Sequence, residues 1–108
     1  MAGRLVRGDI HMRRFPPPDK ERPVLLLTRD SVLAYLATVA VAPITSRIRG
    51  VSAEVFLDVE DGMKGPCVVN LHNITLVPQD QLGPRIARLS DDRMKEVCAA
   101  LRFSLGCD

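Results

Sequence analysis

The 108-residue chain has no tryptophan, one tyrosine and three phenylalanines. That leaves little of the ring surface on which RNA-binding modules usually stack bases, so guanidinium planes or side-chain amides would have to substitute. Cysteine is scarce too. Cys67, Cys98 and Cys107 are odd in number and no two form a C-x-x-C pair, which argues against a disulfide framework or a zinc site and fits a reduced, cytoplasmic protein. Cys67 and Cys98 lie among apolar neighbours and read as small core residues. No stretch approaches the roughly 18 apolar residues of a membrane-spanning helix. Residues 1–8 lack the apolar region of a signal peptide. Glycine-rich nucleotide fingerprints, metal-spaced His/Cys sets and a Ser-His-Asp arrangement are all missing, so no cofactor or metal is expected.

What is present is charge, unevenly spread. Residues 1–50 carry nine Arg/Lys against four Asp/Glu, and residues 51–108 carry six against nine. The front half is therefore basic by five charges and the back half acidic by three. Eight of the nine front-half cations are arginine, whose planar fork matches phosphate geometry. A basic face for a polyanion is one reading; a solvated Arg-rich surface is the other. The length suits one domain over residues 1–108, with a core large enough to need no disulfide or metal.

Hydrophobic spacing predicts a mostly β chain. Residues 4–11 read as an opening strand, and Pro16-Pro17-Pro18 with Asp19-Lys20-Glu21 as a stiff polar loop. Val24 to Thr28 is a continuous apolar run, as in a strand buried on both faces. A short helical or turn segment is expected from Asp30 to Leu36, then strands over Thr38–Thr45, Val51–Val59, Cys67–Asn70 and Ile74–Val77. Turns at Asp61-Gly62 and Gly65-Pro66 flank Lys64. The last segment changes period: Ser90 is a good N-cap, Asp91 and Asp92 suit the first turn, and Gly106 can stop the helix. Met94, Val97, Cys98, Leu101 and Leu105 recur at helical spacing as a core or dimer stripe. The class is α+β dominated by β: five or six short strands forming a small curled barrel, with one C-terminal amphipathic helix outside.

Two strand mouths carry polar groups. Arg22 precedes Pro23 and a run of aliphatics; Thr45, Ser46 and Arg47 close the run that ends at Ile44. If these strands are neighbours, a guanidinium and a hydroxyl converge on one phosphate.

The order Arg7-Gly8-Asp9-Ile10, Arg22-Pro23-Val24-Leu25, Pro43-Ile44-Thr45-Ser46, Cys67-Val68-Val69-Asn70 and a helix ending Leu105-Gly106-Cys107 resembles the MazF/PemK toxins of bacterial toxin–antitoxin systems, closest to the mycobacterial type. The resemblance runs from about residue 6 to 107. It implies an SH3-like barrel, a homodimer, metal-independent cleavage of single-stranded RNA at short sequences, and a MazE-like antitoxin whose C-terminal segment covers the RNA groove. The family's arginine before proline falls on Arg22 and its strand-end threonine on Thr45. The chain departs from many relatives at His72-Asn73, where a carboxylate and glutamine are common, at the Pro-rich loop before Arg22, and at His11, where an aromatic is common.

Metal-free RNA cleavage needs a base for the 2′-OH, a cation for the scissile phosphate and an acid for the leaving 5′-oxygen. Arg22 suits the cation, and Thr45 can donate to a phosphate oxygen. Glu21 and Asp19 are candidate bases, with His11 and His72 as alternative proton carriers; the choice stays open. Ser46, Arg47 and Arg49 are candidate phosphate contacts, with Arg13 and Arg14 behind them. Asn70, His72 and Asn73 offer groups to base edges, or simply make a turn. Two rivals remain: a toxin of the same fold aimed at a protein such as DNA gyrase, and an RNA-binding barrel that does not cut. The gyrase-directed toxins usually end in a tryptophan that this chain lacks.

Overall fold

Strand β3 (Thr38–Thr45) organises the sheet because it changes partners halfway along one edge. In the computed structural model, which describes residues 5–14 and 20–107, its first half pairs with β6 (Thr75–Pro78), Val39 facing Val77. Its last two residues pair instead with β5 (Cys67–Asn70), Ile44 facing Val69 and Thr45 facing Val68. Pro43 stands at the switch, where a missing N–H costs the ladder least. The other edge of β3 takes β2 (Arg22–Leu26), Val24 opposite Pro43 and Leu26 opposite Val41. β2 then pairs with β1 (Asp9–Arg13), β1 with β7 (Leu82–Arg88), and β5 with β4 (Glu54–Leu57). The result is one antiparallel sheet of seven strands in the order β4-β5-β3-β2-β1-β7, with β6 beside β3.

Both faces of this sheet are buried, as the unbroken aliphatic run of β2 requires. Leu25 and Leu27 join Ile10, Ile44, Val55 and Val69 in one cluster, covered by Val97 and Ala100 of helix α2 (Asp91–Leu105). Val24 and Leu26 point the other way, into a cluster with Val39, Val41, Val77 and Leu33 of the short helix α1 (Asp30–Leu33). Each aliphatic side chain so buried contributes roughly 1.5–3 kcal/mol. Helix α2 is capped as its sequence predicts: Ser90 Oγ accepts the Arg93 N–H at 3.1 Å, and Gly106 ends it at φ 72°. Within the stripe, Leu105 is solvent-exposed, and Ala100 takes a buried place that the spacing does not single out.

Three expectations shift. The opening strand begins at Asp9 rather than residue 4, because Gly8 sits at φ 95° and turns the chain into it. The alternation from Val51 to Val59 yields only Glu54–Leu57 as strand. Glu54 accepts N–H groups of Arg49 and Gly50 at 3.1 and 2.8 Å, curling the chain before the strand. Asp58 caps a 3₁₀ turn (Val59–Asp61) that ends it. Strand β7 is additional to the expected set: it carries Gly83, Pro84 and two arginines, and an edge position tolerates them.

Candidate active site

The β2–β3 register creates the site. The paired residues end at Val24 and Pro43; two residues further out Arg22 starts β2 and Thr45 ends β3. Both residues line one cleft of about 800 Å³. Glu21 and Ser46, their chain neighbours, line it too. The turn Gly62-Met63-Lys64-Gly65-Pro66 forms another part of its wall, and Met12, Ile44, Cys67 and Ile86 give the cleft an apolar lining.

Local bonding prepares several of these groups. Thr45 Oγ1 accepts the Arg47 N–H at 3.1 Å, which fixes the hydroxyl and leaves its proton to donate outward. Glu21 is exposed, and its Oε2 lies 3.5 Å from Arg14 Nε. A solvent-exposed pair of this kind holds a carboxylate only weakly, at roughly 0–1 kcal/mol, so Glu21 remains accessible as an acceptor. Burial, then the charges of Asp58 and Asp61, push the Cys67 thiol up. It therefore stays protonated, a neutral lining group rather than a nucleophile. Among the described residues no three His, Cys, Asp or Glu side chains gather as a metal-ligand set.

Of the residues singled out in the sequence, Glu21, Arg22, Thr45 and Ser46 come together. Arg47 and Arg49 are exposed on the loop that leaves Thr45, beside the cleft lining rather than in it. Asn70 ends β5 and His72 and Asn73 follow it, at the end of the strand opposite to Cys67 and roughly 10 Å or more along it. There Asn70 Oδ1 accepts the His72 N–H at 2.9 Å, an Asx-type turn. The His72 ring packs 6.5 Å from Phe103. Ser104 Oγ donates to Leu71 O at 2.7 Å, so its 3.3 Å contact with His72 Nδ1 has the ring N–H donating. His11 is buried on β1, with Nδ1 donating to Gly83 O at 2.9 Å; it is outside the cleft lining, though its neighbour Met12 is part of it. Asp19 and the three prolines lie outside the described residues.

Lys64 is the functional candidate that sequence reasoning passes over. Its turn is legible from Gly62 and Gly65, but nothing local says that this turn shares a cleft with Arg22. The cleft thus holds two cations, a hydroxyl pair and a carboxylate around an apolar surface. Such a set can grip a phosphodiester, hold a base against its apolar lining and accept a proton.

The chain is similar to several known proteins. "Probable endoribonuclease MazF2" of Mycobacterium tuberculosis is 43% identical over 102 residues, covering 94% of this chain and 98% of the relative. The structure of "Mycobacterium tuberculosis toxin MazF-mt6" superposes with a TM-score of 0.85 at 36% identity, over 93% of this chain and 98% of that one. The fold also matches an "Endoribonuclease in complex with its cognate antitoxin from Mycobacterial species", with TM-score 0.86 at 22% identity over 97% and 98% of the two chains. The family model described as "PemK-like, MazF-like toxin of type II toxin-antitoxin system" matches residues 6–105, and the chain belongs to that family.

Proposed function

We propose that this toxin is a sequence-specific endoribonuclease that cuts single-stranded RNA with its own side chains and so blocks translation and growth. The observation that carries the reading is that Arg22 and Thr45, from the neighbouring strands β2 and β3, line one cleft. A scissile phosphate between them receives the Arg22 fork on its non-bridging oxygens and the Thr45 O–H beside it. Both contacts strengthen as negative charge builds at phosphorus. Glu21 takes the 2′-OH proton, the 2′-oxygen bonds to phosphorus, and the bond to the 5′-oxygen breaks as that oxygen gains a proton. The products are a 2′,3′-cyclic phosphate and a 5′-hydroxyl.

Ser46, Arg47 and Arg49 extend the phosphate track from Thr45 along the exposed loop. Asn70, His72 and Asn73 have a weaker claim to RNA, since their groups are engaged in a turn and against α2. By family, the working unit is a homodimer in the cytoplasm, held in check by a MazE-like antitoxin. One of the fold relatives is titled as a complex with its cognate antitoxin, which supports that partner.

The test is cleavage of a mixed-sequence single-stranded RNA in excess EDTA by the wild type, Arg22→Ala and Thr45→Ala. Cutting at one short motif with a 5′-hydroxyl product, lost in both variants, is the expected result. Well-folded wild type that cuts nothing would sink the reading and turn attention to a protein target.

A further inference from the structure

The wall segment that shares the cleft with Arg22 has few bonds of its own. After the 3₁₀ turn Val59–Asp61 the chain passes Gly62 at φ 92° and runs through Met63, Lys64, Gly65 and Pro66 into β5. Two backbone bonds secure its start, Gly62 N–H to Val59 O at 3.0 Å and Met63 N–H to Asp58 O at 3.4 Å. A turn of this composition samples many positions unless something outside it holds it.

Helix α2 supplies that hold. Arg93 donates from Nε and Nη2 to the two oxygens of Asp61 at 2.9 and 3.2 Å, a forked pair. Its Nη1 reaches Glu96 one turn on at 3.1 Å, and Glu60 lies 3.6 Å from Nη2. Asp61 Oδ2 also accepts the Asp58 N–H at 3.0 Å, so the carboxylate ties helix and turn together. The two side chains are 21% and 8% exposed, which shields the pair from salt better than a surface pair. On the other side Gly62 is pressed against β7, where an added Cβ would fall 2.9 Å from Ala87 Cβ. The wall is thus clamped at Asp61 and Gly62, immediately before Met63 and Lys64 enter the cleft.

We infer that Arg93 is a positioning residue for RNA cleavage: its fork on Asp61 fixes the wall that holds Lys64 and Met63 across the scissile phosphate from Arg22 and Thr45. This rests on the ribonuclease reading above. Arg93 touches no substrate; it sets where Lys64 meets the phosphate and where Met63 meets the adjoining base. Displacement of such a wall by about 1 Å can cost on the order of a hundredfold in rate. A lysine at position 93 would keep the charge and lose the fork.

Arg93→Met, Arg93→Lys and Asp61→Asn in the full chain test this, with steady-state cleavage of single-stranded RNA and amide hydrogen exchange read on the same preparations. The expected result is a kcat lowered about tenfold or more in Arg93→Met, with Arg93→Lys recovering only part. Exchange should quicken at Gly62 and Met63 while the β2–β3 amides keep wild-type protection. Wild-type kcat in Arg93→Met, or exchange that quickens equally in β3, overturns the inference. RNA left uncut by wild type overturns the ribonuclease reading and the catalytic role together; the exchange arm then still decides whether Arg93 holds the wall.

Discussion

Arg88 on the edge strand β7 donates from Nε to Asp9 Oδ1 at 2.6 Å, reaching a carboxylate that is 1% exposed. Its Nη2 bonds the other oxygen at 3.3 Å, and Arg85 stands 4.0 Å away. Asp9 and Arg88 are cross-strand partners in the β1–β7 register, so the pair pins an edge strand that has no fully buried residue of its own. The hydrogen bond and the charge of Asp9 hold Arg88 above the ordinary arginine range. Removing the arginine strands a buried carboxylate, whereas removing both charges does not. Arg88→Met should therefore lower the urea midpoint, and adding Asp9→Asn should win part of it back.

Asp61 gives a pH dependence. Burial alone would raise its pKa, but the Arg93 hydrogen bond, the Asp58 N–H and the Arg93 charge together outweigh it, and the carboxyl ends below the ordinary 3.8. A folded pKa below the unfolded one contributes stability that is present above the unfolded value and lost as pH falls through the folded one. The stability gap between wild type and Asp61→Asn, measured by urea denaturation, should be full at pH 7 and shrink once pH drops below 3.8.

At Thr45 the hydroxyl and the shape separate cleanly. Thr45→Val keeps the β-branch of a strand-end residue and should cost on the order of 10²–10³ in kcat, the range for one lost transition-state donor. Thr45→Ser retains the O–H and should keep most of the rate. Arg22→Lys keeps a charge but not two parallel N–H groups, and should fall between wild type and Arg22→Ala in the same cleavage assay.

Two glycines separate backbone strain from collision. Gly50 has φ 74° and open space where an added methyl group would sit, whereas Gly62 has φ 92° and Ala87 Cβ only 2.9 Å from that position. Both alanine variants pay for the left-handed backbone, roughly 1–3 kcal/mol. Gly62→Ala should lower the melting temperature further, and the difference between the two in a thermal scan measures the contact alone.

Much of the fold is legible where one physical signal dominates. The β3 and β5 boundaries and both caps of α2 follow from β-branched runs, from Ser90 and from Gly106. Period-2 alternation misleads from Val51 to Val59 because the Glu54 and Asp58 carboxylates bind backbone N–H groups and curl both ends of the run. β7 is illegible because its reason to be a strand lies in β1, through Asp9 and Arg88, and not in its own residues. The site divides the same way. Arg22 and Thr45 stand out as polar groups at strand mouths, but that they share one cleft follows from β2 lying beside β3. Lys64 looks like any turn lysine until the 62–66 segment is seen across the cleft.

The cleft draws on stretches far apart in the chain: Met12 of β1, the start of β2, the end of β3, the turn 62–66 leading into Cys67, Ile86 of β7 and, through Arg93, the last helix. A chain emerging from the ribosome would carry Arg22 and Thr45 long before the residues that complete their surroundings. Toxicity would therefore arrive late in synthesis and abruptly, giving a newly made molecule an interval in which it is harmless to the RNA that encodes it.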